Sequence, residues 1–257
     1  MERLFELVIE LPYETASTLA QRFGLVISSS SLERLSQPYL RACHTQLEKT
    51  LLTELEVSTQ ATIKQPSKRL MVLQTDGVFV LKRPEHGRCE GMEIKSAVLY
   101  PQASPQDRVM LADGCEAQNF LPLLSGLTKR YCREDDFIVG IGDGAPWVEE
   151  ALDLLADVRI TDVFHSCQYL DTLMQELIWD EAKRTWQRRA WCRGDISAQH
   201  WLSLHLPSPD LRRDWSQSAL TALNYFLARL EHMDYPAFRA KGYPIGSGQV
   251  EAMNKNV

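Results

Sequence analysis

Between residues 69 and 164 the apolar pattern changes period repeatedly, and the order of those changes limits the folds open to the chain more than any other feature. Arg69 to Lys82 is rich in Leu, Val and Phe, with alternation around Thr75 and Gly77, which predicts a strand. Glu90 to Tyr100 predicts a second strand, joined to the first through Arg83-Pro84-Glu85-His86-Gly87, and Arg108 to Ala112 a third. Ala117 to Tyr131 then carries Phe120, Leu123, Leu124 and Leu127 at helical spacing. Asp136 to Asp143 is a short continuous apolar run, the pattern of a strand covered on both faces. Trp147 to Ala156 predicts an amphipathic helix and Val158 to Phe164 a fifth strand. Mostly helices follow. One runs from Ser166 to Trp191 with Tyr169, Leu170, Leu173, Leu177 and Trp186 as its stripe, and one from Asp214 to Met233 with Leu220, Leu223, Phe226, Leu227 and Leu230.

The first 66 residues read differently. From Tyr13, the residues Ala16, Leu19, Ala20 and Phe23 share a helical face ahead of Gly24. Ser28-Ser29-Ser30-Ser31 supplies capping hydroxyls for a second helix in which Leu32, Leu35 and Tyr39 share a face. The outline is that of a helix-turn-helix or of a plain helical hairpin. In the first case Ser30, Ser31 and Arg34 point outward to contact DNA. Residues 40 to 60 predict a further helical stretch, and Lys64-Gln65-Pro66-Ser67-Lys68 a linker. The expected organisation is a helical segment over 1–66 and a sheet domain over 67–257.

Charge and cysteine usage restrict the function classes. The 257 residues carry a formal net charge of -6, and residues 1 to 70 hold eight Lys or Arg against eight Asp or Glu. Such a balance argues against a protein that coats nucleic acid non-specifically, because that mode relies on many phosphate-neutralising cations. The six cysteines include no CxxC pair and follow no signal peptide, so reduced thiols in a cytosol are expected rather than a zinc ribbon or a disulfide frame. No apolar run approaches the roughly 20 residues that span a bilayer.

Three strands, helix, strand, helix, strand is the order of a ribonuclease H-like α/β domain, with the first three strands antiparallel and the rest added in parallel through helical crossovers. In that arrangement Asp76 lies on the central first strand and Asp143 ends the fourth, its neighbour in the sheet. Near the end of the chain, Pro244-Ile245-Gly246-Ser247-Gly248-Gln249-Val250-Glu251 delivers a third acid from a glycine-rich turn onto a helix start. Three hard carboxylate ligands suit Mg²⁺ or Mn²⁺, and two such ions activate an attacking oxygen and neutralise a leaving one. Gly77, Gly142 and Gly144, beside the aspartates, are expected to let a phosphate backbone approach, and Gly246 and Gly248 to allow the turn that aims Glu251.

The segments Gln74-Thr75-Asp76-Gly77, Gly142-Asp143-Gly144-Ala145-Pro146-Trp147, Asp162-Val163-Phe164-His165, Tyr235-Pro236-Ala237-Phe238-Arg239-Ala240-Lys241-Gly242 and Pro244 to Glu251 resemble those of bacterial DDE insertion-sequence transposases of the ISKra type. The resemblance runs from about residue 13 to the last residue. It implies a nuclease that cuts transposon ends and joins them to target double-stranded DNA, acting as a homo-oligomer on DNA, in the cytoplasm with the nucleoid. It also implies that Asp76, Asp143 and Glu251 form the metal-binding triad, and that the helices between about 166 and 233 form an all-helical insertion. His165 matches the family's aromatic-histidine pair after the fifth strand, where it would hold the triad or contact the scissile phosphate. Arg239 and Lys241, with other basic residues on a shared face, would track DNA.

Family members begin with a further N-terminal segment and continue past the glutamate with a basic helix, whereas this sequence stops six residues after Glu251. A chain truncated at both ends is therefore expected from the resemblance. Two other functions fit the same residues: a non-catalytic DNA-binding protein derived from a transposase, and a structure-specific metal-dependent nuclease.

Overall fold

The structure is a computed structural model that describes residues 11–22, 25–56, 69–82, 90–212 and 214–254. Two helices open it, α1 (Tyr13–Arg22) and α2 (Ser29–Glu56). Three strands follow, β1 (Leu70–Lys82), β2 (Glu90–Pro101) and β3 (Val109–Asp113). Then come α3 (Ala117–Tyr131), β4 (Phe137–Gly142), α4 (Pro146–Leu155) and β5 (Val158–Thr161). The remainder is helical: α5 (Val163–Glu176), α6 (Glu181–Cys192), α7 (Ala198–His205), α8 (Gln217–Leu227), α9 (Tyr235–Ala240) and α10 (Gly248–Asn254), with 3-10 turns at Pro209–Arg212 and Leu230–Met233.

The five strands form one mixed sheet in the order β3-β2-β1-β4-β5. β1 pairs antiparallel with β2 and β2 with β3, while β4 is parallel to β1 and β5 parallel to β4. This is the α/β arrangement that the period changes predict. The strand pleat sends alternate residues to opposite faces. Val72, Val98, Val139, Ile141 and Ile160 face α5 to α9, in a core with Trp191, Trp201, Phe226 and Tyr235. Met71, Leu73, Ala97, Leu99 and Ile138 face the other way, onto Phe120, Leu124, Leu127 and Leu152.

Several expectations are corrected. The second helix and the stretch from residue 40 are one 28-residue helix, which passes through the exposed Pro38 without ending. Its buried positions are Leu32, Ser36 and Leu51, whereas Leu35 and Tyr39 are exposed. The buried Ser36 hydroxyl is satisfied by the Glu33 carbonyl at 2.9 Å and Tyr13 Oη at 3.2 Å. Leu51, fully buried, joins the α3 side of the sheet core, where its carbonyl lies so close to Gly126 that a Cβ there would sit 2.2 Å from it. The N-terminal helices are thus fastened to the sheet by packing. The expected linker at residues 64–68 and the hairpin at 83–87 lie outside the described residues.

The helix expected over 166–191 is two helices. Ile178 takes φ 56 after α5, and Asp180 accepts the Lys183 amide to cap α6. Apolar spacing runs through the break because both helices face the same core, but Trp186 is exposed and Trp191 is the fully buried ring. Likewise α8 buries Ala222, Leu223, Tyr225 and Phe226, while Leu227 faces outward. No described helix is long and apolar enough to cross a membrane.

Candidate functional site

The parallel strands set the level of the acids. Thr75 pairs with Gly142 and Gly142 with Thr161, so the next residue on each strand, Asp76, Asp143 and Asp162, emerges at the same end of the sheet. Each is four residues beyond a valine of its strand (Val72, Val139, Val158), and even spacing puts each acid on its valine's face, the side of α5 to α10. A cavity of about 330 Å³ opens there, lined by Asp76, Asp143, Asp162, His165, Ser247 and Glu251 among others. The predicted triad and His165 therefore border one space. A larger hollow of about 700 Å³, at the far end of β1 between Arg69 and Asp107, carries no comparable gathering of acids among the described residues.

Each carboxylate has its own donor. Asp76 accepts the Gly77 amide at 2.9 Å and the Asn254 side-chain amide at 2.7 Å. Asp143 accepts the Ala145 amide at 2.8 Å, and Glu251 the Ser247 hydroxyl at 3.3 Å. Burial raises the proton affinity of Asp76 above the ordinary aspartate range, and the charge of Asp143 adds to it. The two hydrogen bonds pull the other way, and Glu251 contributes a smaller upward push. Asp76 is thus within electrostatic reach of both other members.

The triad does not gather as tightly as a closed ion cluster. Among the described residues, the group whose ligand atoms all lie within 4.8 Å of one another is His44, Glu48 and Asp113. There His44 Nε2 is 2.7 Å from Asp113 and Nδ1 is 3.5 Å from Glu48, so each ring nitrogen already faces one carboxylate. That geometry is a hydrogen-bonded pair tying α2 to β3.

The loop that bears Asp143 is braced from the helical side. Tyr225 Oη donates to the Asp143 carbonyl at 2.8 Å, and its ring stacks on Tyr169 with centroids 3.9 Å apart. Arg229 lies 4.3 Å over the Tyr225 ring, donates to the Gly144 carbonyl at 2.8 Å and pairs with Glu149 at 2.8 Å. Gly144 adopts φ +88 and the Arg229 side chain occupies the space of a Cβ, so glycine is required twice over. At Gly77 and Gly142 the same space is filled by Glu93 and Val148. These glycines are thus each packed against a neighbouring side chain, Glu93, Val148 or Arg229.

The terminal turn is docked by two buried side chains that the sequence reading did not single out as site residues. Asp162, 1% exposed, accepts the His165 amide and the Ser247 amide, both at 2.6 Å. It therefore ends β5 and caps α5, which is why the strand stops at Thr161 rather than Phe164. Gln74, also 1% exposed, accepts the amides of Gln249 at 3.0 Å and Val250 at 3.1 Å. Its own amide donates to Tyr100 Oη at 2.9 Å and to the Gly246 carbonyl at 3.1 Å. Burial pushes the Tyr100 hydroxyl up to about 12. Phe164 lies against Gly246, where a Cβ would come within 2.8 Å of its ring, whereas Gly248 has open space around it.

The expected DNA contacts fall elsewhere. Ser30 and Arg34 are exposed at the start of α2, and the Ser31 hydroxyl accepts from Ser28 at 2.9 Å within the helix cap. Arg239 bonds the Arg193 carbonyl and Lys241 is exposed at the end of α9. None of these five residues lines the cavity. No protein-family model matches the chain, and no curated protein matches it.

Proposed function

We propose that this chain is a metal-dependent nuclease of the DDE transposase kind, cutting and joining double-stranded DNA at the carboxylate cavity. The observation that carries the reading is the convergence of Asp76, Asp143 and Glu251, from the middle of β1, the end of the adjacent β4 and a late helix, on one cavity. The strand order and directions are compatible with a ribonuclease H-like fold. Recognition of transposon ends by the α1–α2 segment, assembly as a homo-oligomer and association with the nucleoid belong to the same proposal.

Asp76, Asp143 and Glu251 would hold Mg²⁺ or Mn²⁺. The donors are hard oxygens, as these ions require. Burial and, after it, the charges of Asp143 and Glu251 raise the proton affinity of Asp76, and a cation between the three would offset both effects by favouring the ionised carboxylates. Two buried polar atoms without hydrogen-bond partners, Thr75 Oγ1 and Asn254 Oδ1, belong to residues beside or bonded to Asp76. Bound there, the ion would activate a water or 3′-hydroxyl and neutralise the leaving oxygen of a phosphodiester. The chain's own groups orient the ligands: Asn254 and the Gly77 amide turn Asp76, and Tyr225 with Arg229 holds the Asp143 loop. His165, on the cavity wall, is within reach of a substrate phosphate or a departing proton.

The test is nicking and joining of plasmid and short duplex DNA in Mg²⁺ or Mn²⁺. Divalent-dependent cleavage lost in Asp76→Ala and Asp143→Ala is expected; cleavage that survives both substitutions overturns the assignment. A catalytically silent DNA-binding protein is the second reading, favoured by the spread of the triad beyond 4.8 Å. It predicts salt-dependent duplex binding, unchanged in Asp143→Ala, with no cleavage by the unsubstituted chain.

A further inference from the structure

We infer that Gln74 and Asp162 are positioning residues for Glu251, acting together as a clamp that docks the last helix onto the sheet; the catalytic meaning of this clamp rests on the proposed nuclease function. Glu251 lies on α10, which covers seven described residues. A helix that short has no intrinsic stability and holds its place only through what it packs against. Two kinds of contact supply that hold. Val250 is fully buried in the sheet core, and four hydrogen bonds run from the turn and the helix start to two buried side chains.

The bonding capacity of Gln74 is used completely. Its side-chain oxygen accepts two amides and its nitrogen donates two hydrogens, all to partners on β2, the turn or α10. The amide therefore has one orientation that satisfies every bond, and the helix start is placed by it. Gln74 is also two residues before Asp76, on the same face of β1, so one strand carries both a metal-ligand candidate and the seat of the helix that brings Glu251.

Asp162 fixes the other end of the turn. It joins the Ser247 amide to the start of α5, and the Val163 amide donates to the Ile245 carbonyl at 3.0 Å beside it. Both bonds that Asp162 accepts from backbone amides are short, at 2.6 Å. Ser247 then donates its hydroxyl to Glu251, so the chain of contacts runs from Asp162 through Ser247 to the carboxylate itself. A bare structural role would leave metal affinity unchanged once the fold is intact. A positioning role moves it, because groups that orient ligands affect metal affinity about 10- to 100-fold.

The experiment uses Gln74→Met, close to the original shape but without its amide, and Asp162→Asn, with amide hydrogen exchange and Mn²⁺ titration as readouts. Exchange over residues 244–254 is expected to rise about tenfold or more while strand segments 71–74 and 137–141 stay protected. Mn²⁺ affinity is expected to fall about tenfold, and any cleavage kcat to fall with KM for DNA little changed. Gln74→Leu also lacks all four bonds without adding a charge, should match Gln74→Met, and serves if the methionine variant does not fold. Unchanged exchange over 244–254 in both Gln74 variants overturns the clamp. Faster exchange in a protein that binds no Mn²⁺ and cuts no DNA leaves the clamp standing and removes the nuclease reading alone.

Discussion

The carboxylate end of the sheet and the α1–α2 tip are held by different means. Asp76, Asp143 and Asp162 owe their common level to strand register, and each is bonded to a neighbouring loop or helix, Asp76 through the Asn254 side chain and the other two through backbone amides. The tip is organised by a small cluster of Ala16, Ala20 and Leu32, with Ser30 and Arg34 facing solvent. One region is determined by pairings distant in sequence and the other by local packing. Substitutions far from the cavity should therefore reach it, whereas changes on the tip should stay where they are made.

The sharpest break between the two regions is expected in Asp143→Ala. Losing one ligand removes several kcal/mol of transition-state stabilisation, which at about 1.4 kcal/mol per tenfold is a thousandfold or greater fall in cleavage rate. Thermal unfolding should change little, which separates lost chemistry from lost fold. Next comes Leu51→Ala, which opens the contact between α2 and α3. It should lower stability by about 2–5 kcal/mol in urea unfolding, and proteolysis should then release the N-terminal helices ahead of the sheet.

Asp76→Asn should act in the opposite direction on stability. The folded chain binds the Asp76 proton more tightly than the unfolded chain, whose aspartate titrates near 3.8. That contribution is complete below this value and is lost as pH rises through the raised folded value. At neutral pH the asparagine variant should therefore melt higher, by about 2–4 °C for each 1 kcal/mol relieved. The gain should shrink to nothing near pH 3, where the native aspartate is protonated too. The smallest effect is expected on the tip. If it reads DNA, Arg34→Ala should weaken duplex binding and reduce the salt slope by about one counterion, with the melting temperature unmoved.

Much of the sheet could be read from the residues because alternation and continuous apolar runs report directly on strands. β1, β2, β4 and α3 fall within a residue or two of their expected limits, and the antiparallel-then-parallel order follows from the connections. Asp76 and Asp143 stood out as acids ending apolar runs. Asp162 was absorbed into an expected strand reaching Phe164, although the valine four residues before each acid recurs in all three parallel strands and would have marked it. Gln74 has no comparable signal. A glutamine in a strand breaks no pattern, and its partners in the turn lie 172 to 176 residues away. The continuity of α2 through Pro38 was hidden because proline normally ends a helix, and the break at Ile178 because the apolar spacing continues across it.

Asp76 also marks a change in the mechanical character of the sheet. Up to Thr75, β1 is laminated between β2 and β4; from Asp76 to Lys82 it is bonded to β2 alone, with Phe79 and Leu81 outward. The three-ply region thins at that point into a two-ply ribbon, whose free edge has lost its neighbour. The carboxylate of β1 therefore stands at the step itself, where the strand passes from two hydrogen-bonded neighbours to one.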